Sequence, residues 1–358
     1  MLNNEIYEVP TNRRYWMVRS SGGHYYNHFT SNNCIGIGHL NVLDLESKAA
    51  GEFNSTEAEL RLALRQKGFE KKLFDKYNRQ LKQASKFIHE MAIGDWIITV
   101  GQAGYRYGVI TSKAYIEREP VVLKGEARGF AGDADMHLRR DVNWGPVIRR
   151  EHVPYGLAQA LRARQTVTCL DEHWQALCHS LYPAFSKGND LYLSVKIGSD
   201  KPIDSYSIGS LFTLYSQIEV LAKEADARFK DVEFNRALFL EVFDEYRRAG
   251  ELTCSNKAQY QSPGDAWFKV KVLDKLTAKN LILASALLLG NDQLGVNGLI
   301  DDETQRQLWQ MFIEAVVDDT SREELDTLNL GVPEFDTEVL HQEVQRDLPE
   351  LPNMNQEV

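Results

Sequence analysis

His24, His28, Cys34 and His39 fall within sixteen residues, and imidazole nitrogen with thiolate sulfur is the donor set that zinc favours. Their spacings match none of the common fingers. Four inward-pointing ligands are also hard to arrange if Tyr15–Arg19 and Ile35–Ile37 are paired strands, so no metal is expected. Cys169, His173, Cys178 and His179 read as ordinary residues of one helix. Gly36-Ile37-Gly38 lacks the third glycine of a dinucleotide fingerprint, and neither a Gly-Lys-Ser/Thr phosphate loop nor a Gly-x-Ser-x-Gly elbow occurs. Catalytic signatures are therefore missing, and no cofactor is expected.

Charge is the next signal. The 358 residues carry a net charge of −10, which at first sight disfavours a nucleic-acid partner. Residues 318–358 alone hold 12 Asp and Glu against Arg322 and Arg346, a balance of −10, so the rest is neutral. Residues 1–200 hold 26 Lys and Arg against 22 Asp and Glu, or +4. Nine of those cations lie between Arg61 and Lys86, against Glu70 and Asp75 only. The overall balance is thus a poor guide to what the first half attracts. Four cysteines without paired spacing argue against a disulfide framework, and no apolar run reaches the roughly 18 residues of a membrane span. A cytoplasmic protein without membrane contact is expected.

The elements that must position any site alternate between strand and helix up to about Pro183. Tyr15–Arg19, Ile35–Ile37, Ile97–Val100 and Tyr105–Thr111 read as short strands, the last two joined through Gly101-Gln102-Ala103-Gly104. Together they suggest one small curled sheet with a pocket at its strand ends. Thr56 with Glu59 is a capping box that opens a long helical pattern, which Gly68 divides in two. Val121–Asp135 reads as a mobile loop, His137–Trp144 as a strand, Val153–Leu161 as a helix and Thr166–Thr168 as a strand. A helix over Asp171–Leu181 precedes Pro183 and Ser186–Asp190, which read as a linker. Residues 190–317 form a second α+β region, with a strand over Leu191–Ile197, a helix over Ser210–Ala227 and an undecided Phe234–Tyr246. A turn at Ser262-Pro263-Gly264, a strand over Trp267–Val272 and helices over Lys275–Leu289 and Asp301–Val317 complete it. Residues 318–358 read as an acidic, disordered tail that could occupy a basic groove.

The run from Tyr15 to His39, the Gly94-Asp95 strand start and Tyr107-Gly108-Val109 resemble the PUA-like superfamily, in particular its EVE and YTH types. Such domains stand at the front of predicted modification-dependent restriction proteins. His137–Trp144 and Gln165-Thr166-Val167 are similar to the end of these domains, so the resemblance covers residues 10–183. His39 departs from it, because restriction-associated members usually carry Trp after the Ile-Gly motif. No nuclease carboxylate set follows, so the resemblance supports recognition better than cutting.

What the resemblance implies is a small β-barrel-like fold, within an α+β chain, that holds a flipped and often modified base. Such a pocket needs flat surfaces, edge-reading polar groups and positive charge for the backbone. Candidate stacking groups are Tyr25, Tyr26, Trp96 and Tyr105, and candidate edge readers are Arg19, Ser20, Ser21 and His39. Trp96 sits mid-strand and equally suits a core. Candidate phosphate contacts are Lys71, Lys72 and Arg79, with the Arg139-Arg140 pair. The expected function is a DNA- or RNA-binding sensor of a modified base in bacterial anti-phage defence, working with an effector partner. A divergent or partner-dependent nuclease subunit and a ligand-free scaffold are the alternatives.

Overall fold

The computed structural model describes residues 6–46, 51–124, 132–199, 202–230, 232–259, 264–289, 303–317 and 319–346. It is an α+β protein, and the chain divides into two compact units that are both discontinuous. One unit, called the pocket unit below, comprises residues 10–150, 158–174 and the stretch from Asp336. The other comprises residues 1–9, 151–157 and 175–335.

Strand β1 (Tyr7–Glu8) belongs to the second unit, after which the chain enters the pocket unit. There β2 (Tyr15–Val18), β3 (Cys34–Ile37), β4 (Trp96–Val100), β5 (Gly104–Ile110), β6 (Tyr115–Ile116), β7 (Leu138–Arg149) and β8 (Val167–Cys169) form a seven-stranded curled sheet. Its order is β3-β7-β5-β4-β2-β8, with β6 also on β7. The curl comes from β7, whose first residues pair with β3 and β6 and whose remainder pairs with β5. The register slips between Arg106 and Gly108, opposite Gly145-Pro146 of β7. A bulge there lets the strand run on past a proline that would otherwise stop the ladder. β7 therefore extends to Arg149 rather than ending at Trp144. Val121 and Ala134 pair as a buried bridge at either end of the stretch expected to be a loop, and residues 125–131 lie outside the described residues.

The short α1 (Tyr26–Ser31) precedes β3, and α2 (Glu57–Gln66) and α3 (Lys71–Ser85) stand between β3 and β4. The capping box forms as expected. Thr56 Oγ1 accepts from the Glu59 amide at 3.2 Å and the Glu59 carboxylate accepts from the Thr56 amide at 2.8 Å. Leu60 and Leu64 of α2 and Leu81 and Ala84 of α3 are buried with Trp16, Phe29, Ile35 and Ile97 in the core of this unit.

In the second unit β9 (Ala184–Lys187), β10 (Asp190–Ile197), β11 (Ser255–Gln259), β12 (Gly264–Lys271) and β13 (Leu330–Gly331) join β1 in a six-stranded sheet. The expected linker at Ser186–Asp190 is a hairpin. Lys187 pairs with Asp190 across Gly188-Asn189, and Gly188 takes φ +59, which a two-residue turn requires. Helices α6 (Ser205–Glu224), α7 (Arg236–Ala249), α8 (Lys275–Leu288) and α9 (Glu303–Val316) contribute Leu211, Phe239, Leu281 and Phe312 to one core with Leu193 and Phe268 of the sheet. Short helices α4 (Tyr155–Ala160) and α5 (Trp174–His179) each contain a unit boundary, and they take the numbers before α6 in the chain. Ser262-Pro263 and residues 290–302 lie outside the described residues, as do 347–358. No described helix is long and apolar enough to cross a membrane.

The stretch after Asp318 is not disordered as far as Arg346. Helix α10 (Asp319–Leu328) buries Leu325 and Leu328 in the second unit, and β13 pairs with β10. Residues 336–346 then return to the pocket unit as a strap. Leu340 is fully buried, and its carbonyl accepts from Trp96 Nε1 at 3.0 Å and from Arg13 Nη1 at 2.9 Å. Arg346 donates to buried Asp95 at 2.5 Å and to the Glu90 carbonyl at 2.9 Å. The strap lies so close to Gly94 (φ +88) that a Cβ there would stand 2.2 Å from the Glu343 carbonyl oxygen. Dense acid hid these anchors, because the apolar residues that hold the segment are few and widely spaced.

Breaking a buried ion pair on one side leaves an uncompensated charge. Asp95 keeps three other donors, so Arg346→Met should cost about 2 kcal/mol, less than the loss of an isolated pair. Urea denaturation followed by tryptophan fluorescence checks this. An unchanged midpoint would show that the strap does not hold the pocket unit.

Candidate functional site

A cavity of about 400 Å³ opens where several strands of the pocket unit end. Its volume lies in the range of about 300–1,000 Å³ typical of small-molecule sites. Arg19, Ser21 and Gly22 follow β2, and Tyr25 precedes α1. Gly36 and Ile37 end β3, with Gly38 and His39 just beyond. Asp135 and Met136 lead into β7, while Arg164 and Thr166 lead into β8.

The local sequence explains this convergence. A Cβ on Gly36 would stand 3.0 Å from the Met136 Cβ, and one on Gly38 2.9 Å from the Asp135 carbonyl. The Gly-Ile-Gly run therefore lets the 135–136 segment lie against β3. Ser21 takes φ 50, and Gly22 and Gly23 follow at 71 and 99. A left-handed serine is costly and persists only where its surroundings hold it. Here Gly23 and Tyr25 amides both donate to the Ser20 carbonyl, which fixes the turn at the cavity wall.

Arg19 is only partly free. Its Nε donates to the Ala163 carbonyl at 2.5 Å and its Nη2 to the Leu161 carbonyl at 2.6 Å, so it also anchors the segment that carries Arg164. Arg164 is exposed. His39 is half-buried, and burial lowers its pKa from 6.5, while a hydrogen bond with Gln83 works in the opposite direction. Its Nε2 is shielded from solvent without a hydrogen-bond partner among the described residues. Gln83 Oε1 also accepts from the Thr166 and Val167 amides at 2.8 and 3.1 Å, tying α3 to the cavity wall. The result is a polar recess lined by Tyr25, a neutral His39, Arg19, Arg164 and Asp135, whose carboxylate lies 2.8 Å from His137 Nε2.

Four of the seven expected base contacts, Arg19, Ser21, Tyr25 and His39, line this cavity. The other three do not. Ser20 is fully buried behind the wall, its hydroxyl on the Val100 carbonyl at 3.3 Å. Trp96 is fully buried, edge-on to Tyr15 and Tyr107 and hydrogen-bonded to the strap, so it belongs to the core. Tyr105 is 7% exposed and is not among the residues that line the cavity, and the Tyr26 ring packs on Gly101, where a Cβ would come within 2.8 Å. β4 is buried along its whole length, so its alternation carries no outward face for an aromatic to use.

Among the expected phosphate contacts Lys71, Lys72 and Arg79 are exposed on α3. Arg139 and Arg140 are corrected to structural roles. Arg139 donates to the Met136 carbonyl at 2.7 Å and to that of Glu119. Arg140 is 2% exposed and donates to the carbonyls of Phe87, Ile88, Met91 and Ser112 at 2.8–2.9 Å. Burial brings its pKa down to about 10, against the pull of Asp95. These arginines close loop ends that have no backbone partner. Sequence reasoning missed Arg164, Thr166 and Gln83, because each lies in a connection or on a helix whose role only the fold defines.

Among the described residues no group of three or more His, Cys, Asp and Glu is placed to hold a metal. His24 is exposed, His28 is buried beside Tyr25, and burial pushes the Cys34 thiol up to about 11. In the second unit His179 Nδ1 lies 2.8 Å from Ser194 Oγ, yet both residues are 2% exposed. The hydroxyl donates to the Tyr182 carbonyl at 2.6 Å and the imidazole stacks on Trp267, which makes the pair a core contact. No protein-family model matches the sequence, and no curated protein matches it.

With its pKa lowered, His39 is neutral at pH 7. Protonation is then easier in the unfolded chain, so stability should fall as pH drops below 6.5 and level off once the lower folded value is passed. Ring NMR titration should place His39 below 6.5, and Gln83→Leu should lower it further by removing the opposing hydrogen bond. A value at or above 6.5 would contradict its burial.

Proposed function

We propose that the pocket unit reads a single nucleobase held outside its stack, and that a modified base is the preferred ligand. The observation that carries this is the convergence of Arg19, Ser21, Tyr25 and His39 on one cavity of about 400 Å³. A flat heterocycle needs one stacking face and a few edge partners, and Tyr25 supplies the first. Neutral His39 and Ser21, both lining the cavity, supply the second. Arg19 and Arg164 place positive charge at the same recess, suited to the phosphate that accompanies the base.

The resemblance to PUA-like domains of the EVE and YTH types points the same way. It also supports a role in bacterial defence, in which the second unit relays occupancy to an effector. Recognition rather than cleavage is the proposed activity of the pocket unit.

Stacking on an aromatic returns about 1–3 kcal/mol per base, so losing Tyr25 together with the His39 contact should weaken binding roughly 10- to 100-fold. The test is a panel of single- and double-stranded oligonucleotides, plain and base-modified, against the wild type and the His39→Ala/Tyr25→Ala variant. Preference for a modified base, lost in the variant, is expected. Equal affinity of the two proteins for every oligonucleotide would reject the pocket as the reader.

A further inference from the structure

The cations of α3 are not evenly spread around it. At 3.6 residues per turn, positions 72, 76, 79 and 83 fall in one stripe about 60° wide. Lys72, Lys76 and Arg79 therefore stand in line with Gln83, the residue that bonds the Thr166 amide and His39 at the cavity. Lys71 and Lys82 fall roughly 100° away on the same helix, so Lys71, expected from the sequence to meet a phosphate, lies off the stripe. Buried Leu81 lies about 170° from the middle of the stripe and buried Ala84 about 110° from it.

All three stripe cations are exposed, and none has a carboxylate within ion-pair distance among the described residues. Several other surface cations of this unit are paired with carboxylates, whereas Arg65, Lys71, Lys82 and Arg162 are exposed and, like the stripe, have no carboxylate within ion-pair distance among the described residues. Lys67 meets Asp44 at 2.6 Å, Lys113 meets Glu52 at 3.1 Å and Arg118 meets Glu46 at 3.1 Å. Arg61 meets Glu57 at 2.5 Å. The stripe runs about 16 Å from Lys72 to Gln83, at 1.5 Å per residue, and ends where the cavity begins.

We infer that this stripe is the track for a single-stranded phosphodiester chain, whose successive phosphates meet Arg79, Lys76 and Lys72 as it leaves the pocket. This rests on the reading of the cavity as a base pocket and sharpens it, because the ligand becomes a strand rather than a free nucleotide. Charge complementarity commits the face to a polyanion. Its continuity with the cavity through Gln83 commits it to the strand that carries the read base.

The experiment compares two variants of equal charge on one helix. Lys72→Gln/Arg79→Gln removes two stripe cations, and Lys71→Gln/Lys82→Gln removes two beside it. The probe is a fluorescein-labelled 12-nucleotide single strand, as DNA and as RNA, titrated between 50 and 300 mM salt. Each lost phosphate contact should flatten the slope of log K against log salt by about 0.7, so the stripe variant should lose about 1.4. The off-stripe variant should keep the wild-type slope. Equal slopes for the two variants, or no strand binding by the wild type, would overturn the track.

The His39→Ala/Tyr25→Ala variant separates this from the pocket reading. It should weaken binding without changing the slope. If it is silent while the stripe variant flattens the slope, the pocket reading fails and the track stands. If it weakens binding while the stripe variant is silent, the reverse holds.

Discussion

One buried carboxylate organises the pocket unit. Asp95 is fully buried, and its oxygens accept from the Arg14 amide at 3.0 Å, Trp16 Nε1 at 3.1 Å, the Ala92 amide at 2.9 Å and Arg346 at 2.5 Å. A desolvated charge is tolerable only when its lone pairs are filled, and here they are filled from β2, the turn before β4 and the strap together. Tyr15 pairs with Trp96 in parallel register directly beside this centre. The placement of β2 on β4, and with it the direction in which Arg19 and Ser21 leave the sheet, follows from that set of bonds.

Arginine serves the same unit in a second way. Arg13, Arg19, Arg139 and Arg140 all donate to backbone carbonyls in connections that have no ladder of their own. Each guanidinium offers several donors in a fixed plane, so one side chain can satisfy two or more carbonyls at once. Much of the positive charge that the sequence places on β7 is therefore spent inside the protein. The cations of α3 and Arg164 at the cavity stay exposed and are among those left for a polyanion.

The legible part of the sequence was the local part. The Thr56–Glu59 box, the helices over 275–288 and 303–316, and the hairpin of β4 and β5 form through contacts a few residues apart, and they stand where the residue pattern put them. The undecided Phe234–Tyr246 is helical because Asn235 caps it and Gly250 closes it, signals outside the apolar run itself. Non-local contacts decided the rest. Gly145-Pro146 looks like a strand end until the bulge opposite Tyr107 accommodates it, and Trp96 looks like a stacking group until both faces of β4 are covered. Arg19, Ser21, Tyr25 and His39 were legible as a site because they flank strand ends; Gln83 and Arg164 were not, since their neighbours are more than 80 residues away or in a connection.

The strap also orders events in time. Asp95 and Arg346 are 251 residues apart in sequence. Closing so long a loop is entropically slow, and a chain made at about 5–20 residues per second exposes Asp95 and Trp96 for some tens of seconds before Arg346 exists. The aromatic seam of the pocket unit is thus the last part of it to close, sealed only when Leu340 and Arg346 arrive.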